Sequence, residues 1–145
     1  MELGSSADAP LRLASLPRTA AVIQHAMRAL PFLHDQPHAS AENRENLNAI
    51  VRRYHPGEGI PFHVDYHVAA RNEKHPAYEE PVYGCILLNT SDSQLVFRHG
   101  KEVRASPEPK GCIFLMTGAS RFACQHGVPA LRSGQRISLT WRWTV

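Results

Sequence analysis

The spacing of hydrophobic and polar positions changes character near residue 47. Between residues 15 and 30, Val22, Ile23, Ala26, Met27 and Leu30 recur at helical intervals. Gln24, His25 and Arg28 lie opposite, and Pro31 ends the pattern, which predicts one amphipathic helix. Residues 32–45 carry Pro37, Asn43 and many polar groups and predict a loop, after which residues 47–54 predict a strand closed by Pro56 and Gly57. From there the chain breaks into short β-like runs over 61–68, 82–88, 94–98, 112–116, 121–125 and 136–145. Turn-rich HPGEG, NTSDS, RHGK and SPEPKG lie between them. The last run, RISLTWRW, alternates strictly. Ile137, Leu139, Trp141 and Trp143 form an apolar face suited to packing under a helix, and Arg136, Ser138, Thr140 and Arg142 form a cationic one. Together these elements predict a mainly β fold, an antiparallel jelly roll with one or two flanking α-helices.

Composition narrows the class. A chain of 145 residues fits one domain, expected over 15–145 after a flexible segment 1–14. With 43% hydrophobic and 20% charged residues it matches globular rather than disordered chains. No apolar run reaches the roughly 20 residues that cross a bilayer, and the N-terminus lacks signal-peptide features. The expectation is an intracellular monomer, cytoplasmic or nuclear, without a membrane partner. Cys85, Cys112 and Cys124 stand far apart with no CxxC pair, which predicts reduced thiols. A net charge of +3 is too small and too scattered to indicate nucleic-acid binding by itself. Nine histidines turn attention to metal chemistry.

In an extended segment, residues i and i+2 share a face. FHVDYH, residues 62–67, therefore presents His63 and Asp65 to one side and turns Val64 away. An imidazole and a carboxylate so placed can bind a metal, although an HxD pair alone is more often ordinary strand polarity. His126, in CQHGV, is the natural third ligand on a strand that a folded barrel brings alongside. Two histidines and one carboxylate on one face leave coordination positions open on non-haem iron(II). His67 shares the face of His63 and Asp65, but three successive same-face ligands on a straight strand span about 13 Å. A strand-end or turn role is favoured for His67 and for His99, and a packing role for Cys124. The arginine face leaves two readings. Turned into a barrel, Arg136 and Arg142 need anionic partners, for which a carboxylate matches guanidinium through paired hydrogen bonds. Turned outward, they are solvated. About 20 Å between their α-carbons prevents both from gripping one carboxylate.

The segments RYHPGEGIPFHVD, KGCIFLMTGASRFACQHGV and RISLTWR, in that order, resemble the AlkB-like branch of the iron(II)- and 2-oxoglutarate-dependent dioxygenases. That branch is marked by HxD, a distant His and an RxNxTxR-type strand, and the resemblance runs from about residue 47 to the C-terminus. It implies a double-stranded β-helix in which His63, Asp65 and His126 hold iron(II) and form the catalytic centre. It also implies that Arg136 pairs with the distal carboxylate of 2-oxoglutarate, helped by the hydroxyl of Tyr54. Arg142 would lie nearer the metal, at the cosubstrate's other carboxylate or its surroundings, with Thr140 in support. Two positions depart from the pattern. Ser138 stands where the strand has asparagine, and Arg52 replaces the asparagine expected two residues before the tyrosine, adding a third cation near the cosubstrate.

The implied activity uses iron(II), 2-oxoglutarate and molecular oxygen, commonly on an N-methyl carbon of a nucleobase. Methylated DNA or RNA is thus the first expected substrate, and a protein side chain or small molecule the alternative. Nucleobase-directed members carry an N-terminal lid whose aromatic residues stack on a flipped base. Here one helix and a loop precede the core, a reduced lid with Phe32 and His34 as candidates. Arg71, Lys74 and His75 in the loop over 66–83, and Arg98, His99 and Lys101 in a later hairpin, are candidate phosphate contacts or simply solvated charges. A catalytically silent binding module is disfavoured, because the ligand set and both arginines are all retained.

Overall fold

The computed structural model describes residues 17–29, 47–65 and 82–143. The expected N-terminal tail, Phe32 and His34, His67, and the loop bearing Arg71, Lys74 and His75 lie outside the described residues. Helix α1, Pro17–Ala29, opens on a proline, whose fixed φ suits the first helical position. Eight strands follow: β1 Leu47–Tyr54, β2 Ile60–His63, β3 Val82–Asn89, β4 Val96–His99, β5 Glu102–Ala105, β6 Ile113–Met116, β7 Gln125–Val128 and β8 Arg136–Trp143. A one-turn helix, α2 Ala119–Phe122, precedes β7. The strands form two antiparallel four-stranded sheets, in the orders β1-β8-β3-β6 and β2-β7-β4-β5. That interleaving, with first and last strands adjacent, is the double-stranded β-helix, as expected. Among the described residues no helix is long and apolar enough to cross a membrane.

Strand alternation divides the first sheet into two chemically different faces. Leu139 and Trp141 of β8, with Tyr83 and Cys85 of β3, form a buried cluster with Ile23 and Ala26 of α1. The apolar face of RISLTWRW therefore lies under the helix as its pattern predicts. The other face turns towards the second sheet. It offers Ile50, Arg52 and Tyr54 from β1 and Arg136, Ser138, Thr140 and Arg142 from β8 to a shared cavity. A second cluster of Tyr54, Leu95, Val128 and Leu131, joined by Ile60, Phe97 and Phe114, closes one end of the space between the sheets.

Three elements differ from expectation. Residues 121–125 were expected as strand, but Gly118 turns the chain at φ 53°, Ala119–Phe122 coil into one helical turn, and β7 starts only at Gln125. Strand β5 was not anticipated, because EVRA is exposed throughout and shows no hydrophobic alternation. It pairs with β4 across a turn in which Gly100, at φ 59°, adopts a conformation that costs glycine little. Its Glu102 and Arg104 place charges on the edge of the second sheet, which discourages pairing with another chain. The third difference is the end of β2. It stops at His63, so Asp65 sits just beyond the strand, although Val64 still points outward and is exposed.

Trp141 is 1% exposed and stacks on Tyr83 with ring centroids 5.7 Å apart and planes 12° from parallel. Trp141→Ala is expected to lower unfolding free energy by about 3–5 kcal/mol. Urea denaturation measures it, and a loss below about 1 kcal/mol would contradict this account of the outer core.

Candidate metal centre and anion pocket

Strands β2 and β7 are antiparallel neighbours, and their register sets His63 directly against His126. The two rings lie 4.4 Å apart, centroid to centroid. Close approach of the strands depends on Gly127, where an added Cβ would come within 2.7 Å of the Ile60 carbonyl oxygen. Asp65 turns back from the end of β2. Its Oδ1 lies 3.5 Å from His63 Nε2 and 3.7 Å from His126 Nε2. The three side chains can each offer one ligand atom, all within 4.8 Å of one another.

Each group is held by a further contact that fixes which atom it presents. His63 Nδ1 lies 2.9 Å from the Pro61 carbonyl, which can only accept, so Nδ1 carries a proton and Nε2 faces the centre. Arg142 Nη1 lies 3.1 Å from Asp65 Oδ2, leaving Oδ1 for the space between the imidazoles. Arg142 is thus brought to the carboxylate of the cluster itself, a more specific place than its expected vicinity to the metal. His126 is the most enclosed of the three, and its Nδ1 is buried without a hydrogen-bond partner. His99 ends β4 exposed at the hairpin and takes no part in the cluster, and Cys124 is a free, half-buried thiol just before β7.

The electrostatics follow from this crowding. Burial works against ionisation of Asp65, but the His63 hydrogen bond and the charges of Arg142, His126 and His63 outweigh it and hold the carboxyl down to about 2. The hydrogen bond to Asp65 raises His63 above its ordinary value, against a smaller effect of burial. Burial lowers His126, with the nearby arginines adding to the effect and Asp65 opposing it. A carboxylate that stays ionised and an imidazole that stays neutral at pH 7, with a second imidazole beside them, are a donor set suited to a divalent cation with open positions. His63, Asp65 and His126 fit iron(II) on these grounds.

A cavity of about 80 Å³ adjoins the cluster, lined by Arg52, Tyr54, Arg136, Ser138, Thr140 and Arg142 together with apolar side chains. It is large enough to hold more than one water molecule. The polar face of β8 is therefore internal, which decides between the two readings of its arginines. Arg136 is buried with Tyr54's ring beneath its guanidinium, at 5.5 Å. Its principal partner is one that the sequence did not suggest. Arg136 Nε and Nη2 donate to Glu108 Oε2 and Oε1 at 2.8 and 2.6 Å, and Nη1 donates to Ser138 Oγ at 3.1 Å. Glu108 belongs to SPEPKG, which had the look of a plain turn. Its carboxylate, 2% exposed, also accepts from Asn89 Nδ2 at 3.2 Å and from the Leu95 N–H at 3.1 Å. Arg52 lines the same cavity, opposite Ser138 in the β1–β8 register, and its Nε is buried with no hydrogen-bond partner.

The hairpin residues Arg98, His99 and Lys101, candidate phosphate contacts or solvated charges, divide as well. Arg98 is held within the second sheet, 4.1 Å above the Phe62 ring and bonded to Gln125 Oε1 at 3.0 Å, so it serves packing rather than an open surface. His99 and Lys101 are exposed.

Several solved structures resemble this architecture, three of them as follows. An oxidoreductase of the 2OG-Fe(II) oxygenase family from Burkholderia pseudomallei superposes with a TM-score of 0.51 at 18% identity, covering 67% of this chain and 42% of that one. A Pseudomonas putida prolyl-4-hydroxylase gives 0.56 at 16% identity, covering 99% and 70%. The viral collagen prolyl hydroxylase of Paramecium Bursaria Chlorella virus-1 gives 0.53 at 18%, covering 85% and 66%. At these identities the likeness is one of fold. No protein-family model and no curated protein matches the sequence.

Two expectations follow. A metal takes the Nε2 lone pair that His63 offers only when neutral, and the hydrogen bond to Asp65 raises the titration of His63 above its ordinary value. Metal affinity should rise as pH climbs through that titration, with Asp65 already ionised throughout. Co(II) calorimetry at pH 7 in buffers of different ionisation heat should register proton release, and its absence would contradict the assignment. Separately, Glu108→Ala leaves the Arg136 charge buried and unmatched, and should cost about 3–5 kcal/mol in chemical denaturation.

Proposed function

We propose that this protein is an iron(II)- and 2-oxoglutarate-dependent oxygenase. The observation that carries the reading is the convergence of His63, Asp65 and His126 beside a cation-lined cavity, inside a double-stranded β-helix. When bound, iron(II) with 2-oxoglutarate and molecular oxygen supplies hydroxylation of a C–H bond, coupled to oxidative decarboxylation of the cosubstrate to succinate.

The chain's own residues do the rest. His63 and His126 would present Nε2, and Asp65 Oδ1, from one side of the metal, leaving the other side for exchangeable ligands. Arg142 holds the second oxygen of Asp65, so the carboxylate keeps its orientation as the charge around it changes. Pro61 fixes the His63 tautomer. The basic residues of β1 and β8 attract a small acid into the cavity. Thr140 and Ser138 offer hydroxyls along the same wall, and Tyr54 forms part of its floor. Phe114, Leu95, Val82 and Met116 give the cavity apolar sides that limit access of bulk water to the reacting atoms.

The substrate reading rests on the AlkB-like motifs. An N-methyl group on a DNA or RNA base is the substrate they favour, its hydroxylation ending in formaldehyde release. The likeness in fold to two prolyl hydroxylases supports a second reading, in which a peptidyl side chain or a small molecule is hydroxylated.

Succinate and formaldehyde should be measured with iron(II) and 2-oxoglutarate against methylated DNA and RNA oligonucleotides, proline-containing peptides and no substrate. The first reading expects formaldehyde from at least one methylated oligonucleotide. Succinate stimulated only by peptide would favour the second. His63→Ala and Asp65→Ala are expected to reduce succinate formation to the protein-free background, and full turnover in either variant would overturn the metal assignment.

A further inference from the structure

Of the three arginines that line the cavity, two have a carboxylate partner and one has none among the described residues. Asp65 is matched by Arg142. Arg136 is matched by Glu108, both almost wholly excluded from solvent, with every strong acceptor direction of the carboxylate used by Arg136, Asn89 and Leu95. No carboxylate among the described residues pairs with Arg52, and its Nε is buried without a hydrogen-bond partner.

Resting on the oxygenase reading, we propose that Arg52, rather than Arg136, receives the distal carboxylate of the acid bound in this cavity. Glu108 is what takes Arg136 out of that role. A second carboxylate on the Arg136 guanidinium would sit beside Glu108 in a buried site, one cation facing two anions, an arrangement that low dielectric penalises. On Arg52 the same carboxylate meets a cation lacking a counter-charge and relieves the cost of burying its Nε unpaired.

Position agrees with charge. In the β1–β8 register Tyr54 faces Arg136, Arg52 faces Ser138, Ile50 faces Thr140 and Asn48 faces Arg142. Arg142 marks the level of the metal cluster through its contact with Asp65, and Arg136 marks the far end. Arg52 lies between them, two residues nearer the cluster than Arg136, or about 7 Å along the strand. An acid chelating the metal at one end would meet Arg52 before it reached the Arg136–Glu108 pair.

The test uses the full chain loaded with Mn(II) and calorimetric titration of two acids, 2-oxoglutarate and 2-oxobutyrate, which share the keto-acid head and differ in the distal carboxylate. Wild type is expected to bind 2-oxoglutarate at least about tenfold more tightly. Arg52→Gln should lose that advantage by roughly tenfold or more while changing 2-oxobutyrate affinity less than about threefold, and Arg52→Lys should restore most of it. Retained 2-oxobutyrate binding also reports an intact fold and metal site. If Arg52→Gln holds 2-oxoglutarate as tightly as wild type, or loses both acids equally, Arg52 is not the receptor and only this inference falls. If wild type with bound metal takes up neither acid, the oxygenase reading falls and this inference with it.

Discussion

Every charge inside this β-helix has to be answered by another charge, by a hydrogen bond or by a ligand. Burial strips these groups of most of their water, and an ion left alone there costs several kcal/mol. Asp65 is the clearest case. Burial alone would favour its protonated form, yet two imidazoles and the Arg142 guanidinium surround it and keep it ionised. The same contacts fix its orientation, with one oxygen on Arg142 and the other between the histidines. At the opposite end the rule is met differently, by a closed pair of Arg136 and Glu108 that needs nothing from outside. The cavity between those ends is lined by Arg52, which pairs with no carboxylate among the described residues.

The scaffold makes this division of labour economical. One sheet, β1-β8-β3-β6, carries the helix on its outer face and the arginines on its inner one, so a single alternating strand serves the outer core and the cavity wall together. The other sheet supplies the imidazoles through one antiparallel pair, β2 and β7, whose closeness rests on the missing side chain at Gly127. Because the cluster straddles a register pair, small displacements of β2 against β7 change the separation of His63 and His126 directly.

The helix, β1, β3 and β8 were readable because each has the period of its structure and one buried apolar face. Part of the His63–Asp65–His126 cluster was readable for a related reason: His63 and Asp65 are near neighbours, and i to i+2 spacing in extended chain places them on one side. Strand β5 lacked any such signal, being exposed on both faces at an edge, and the helical turn Ala119–Phe122 interrupts a run whose composition suits a strand equally well. The contacts of Arg98 were not readable, because its strand's pattern does not reveal that Phe62 and Gln125 lie across the sheet from it.

By itself, then, the sequence determined the local periodicities, the division of RISLTWRW into an apolar and a cationic face, and the three ligand-type side chains with the motifs around them. Only the tertiary structure decided which way the cationic face turns and what each guanidinium meets there. Glu108 lies 28 residues from Arg136, between two prolines in a segment without period, and nothing local connects them. Pairing of buried charges is a relation across space, set by how strands fold over one another, so it leaves no mark in the order of residues along the chain.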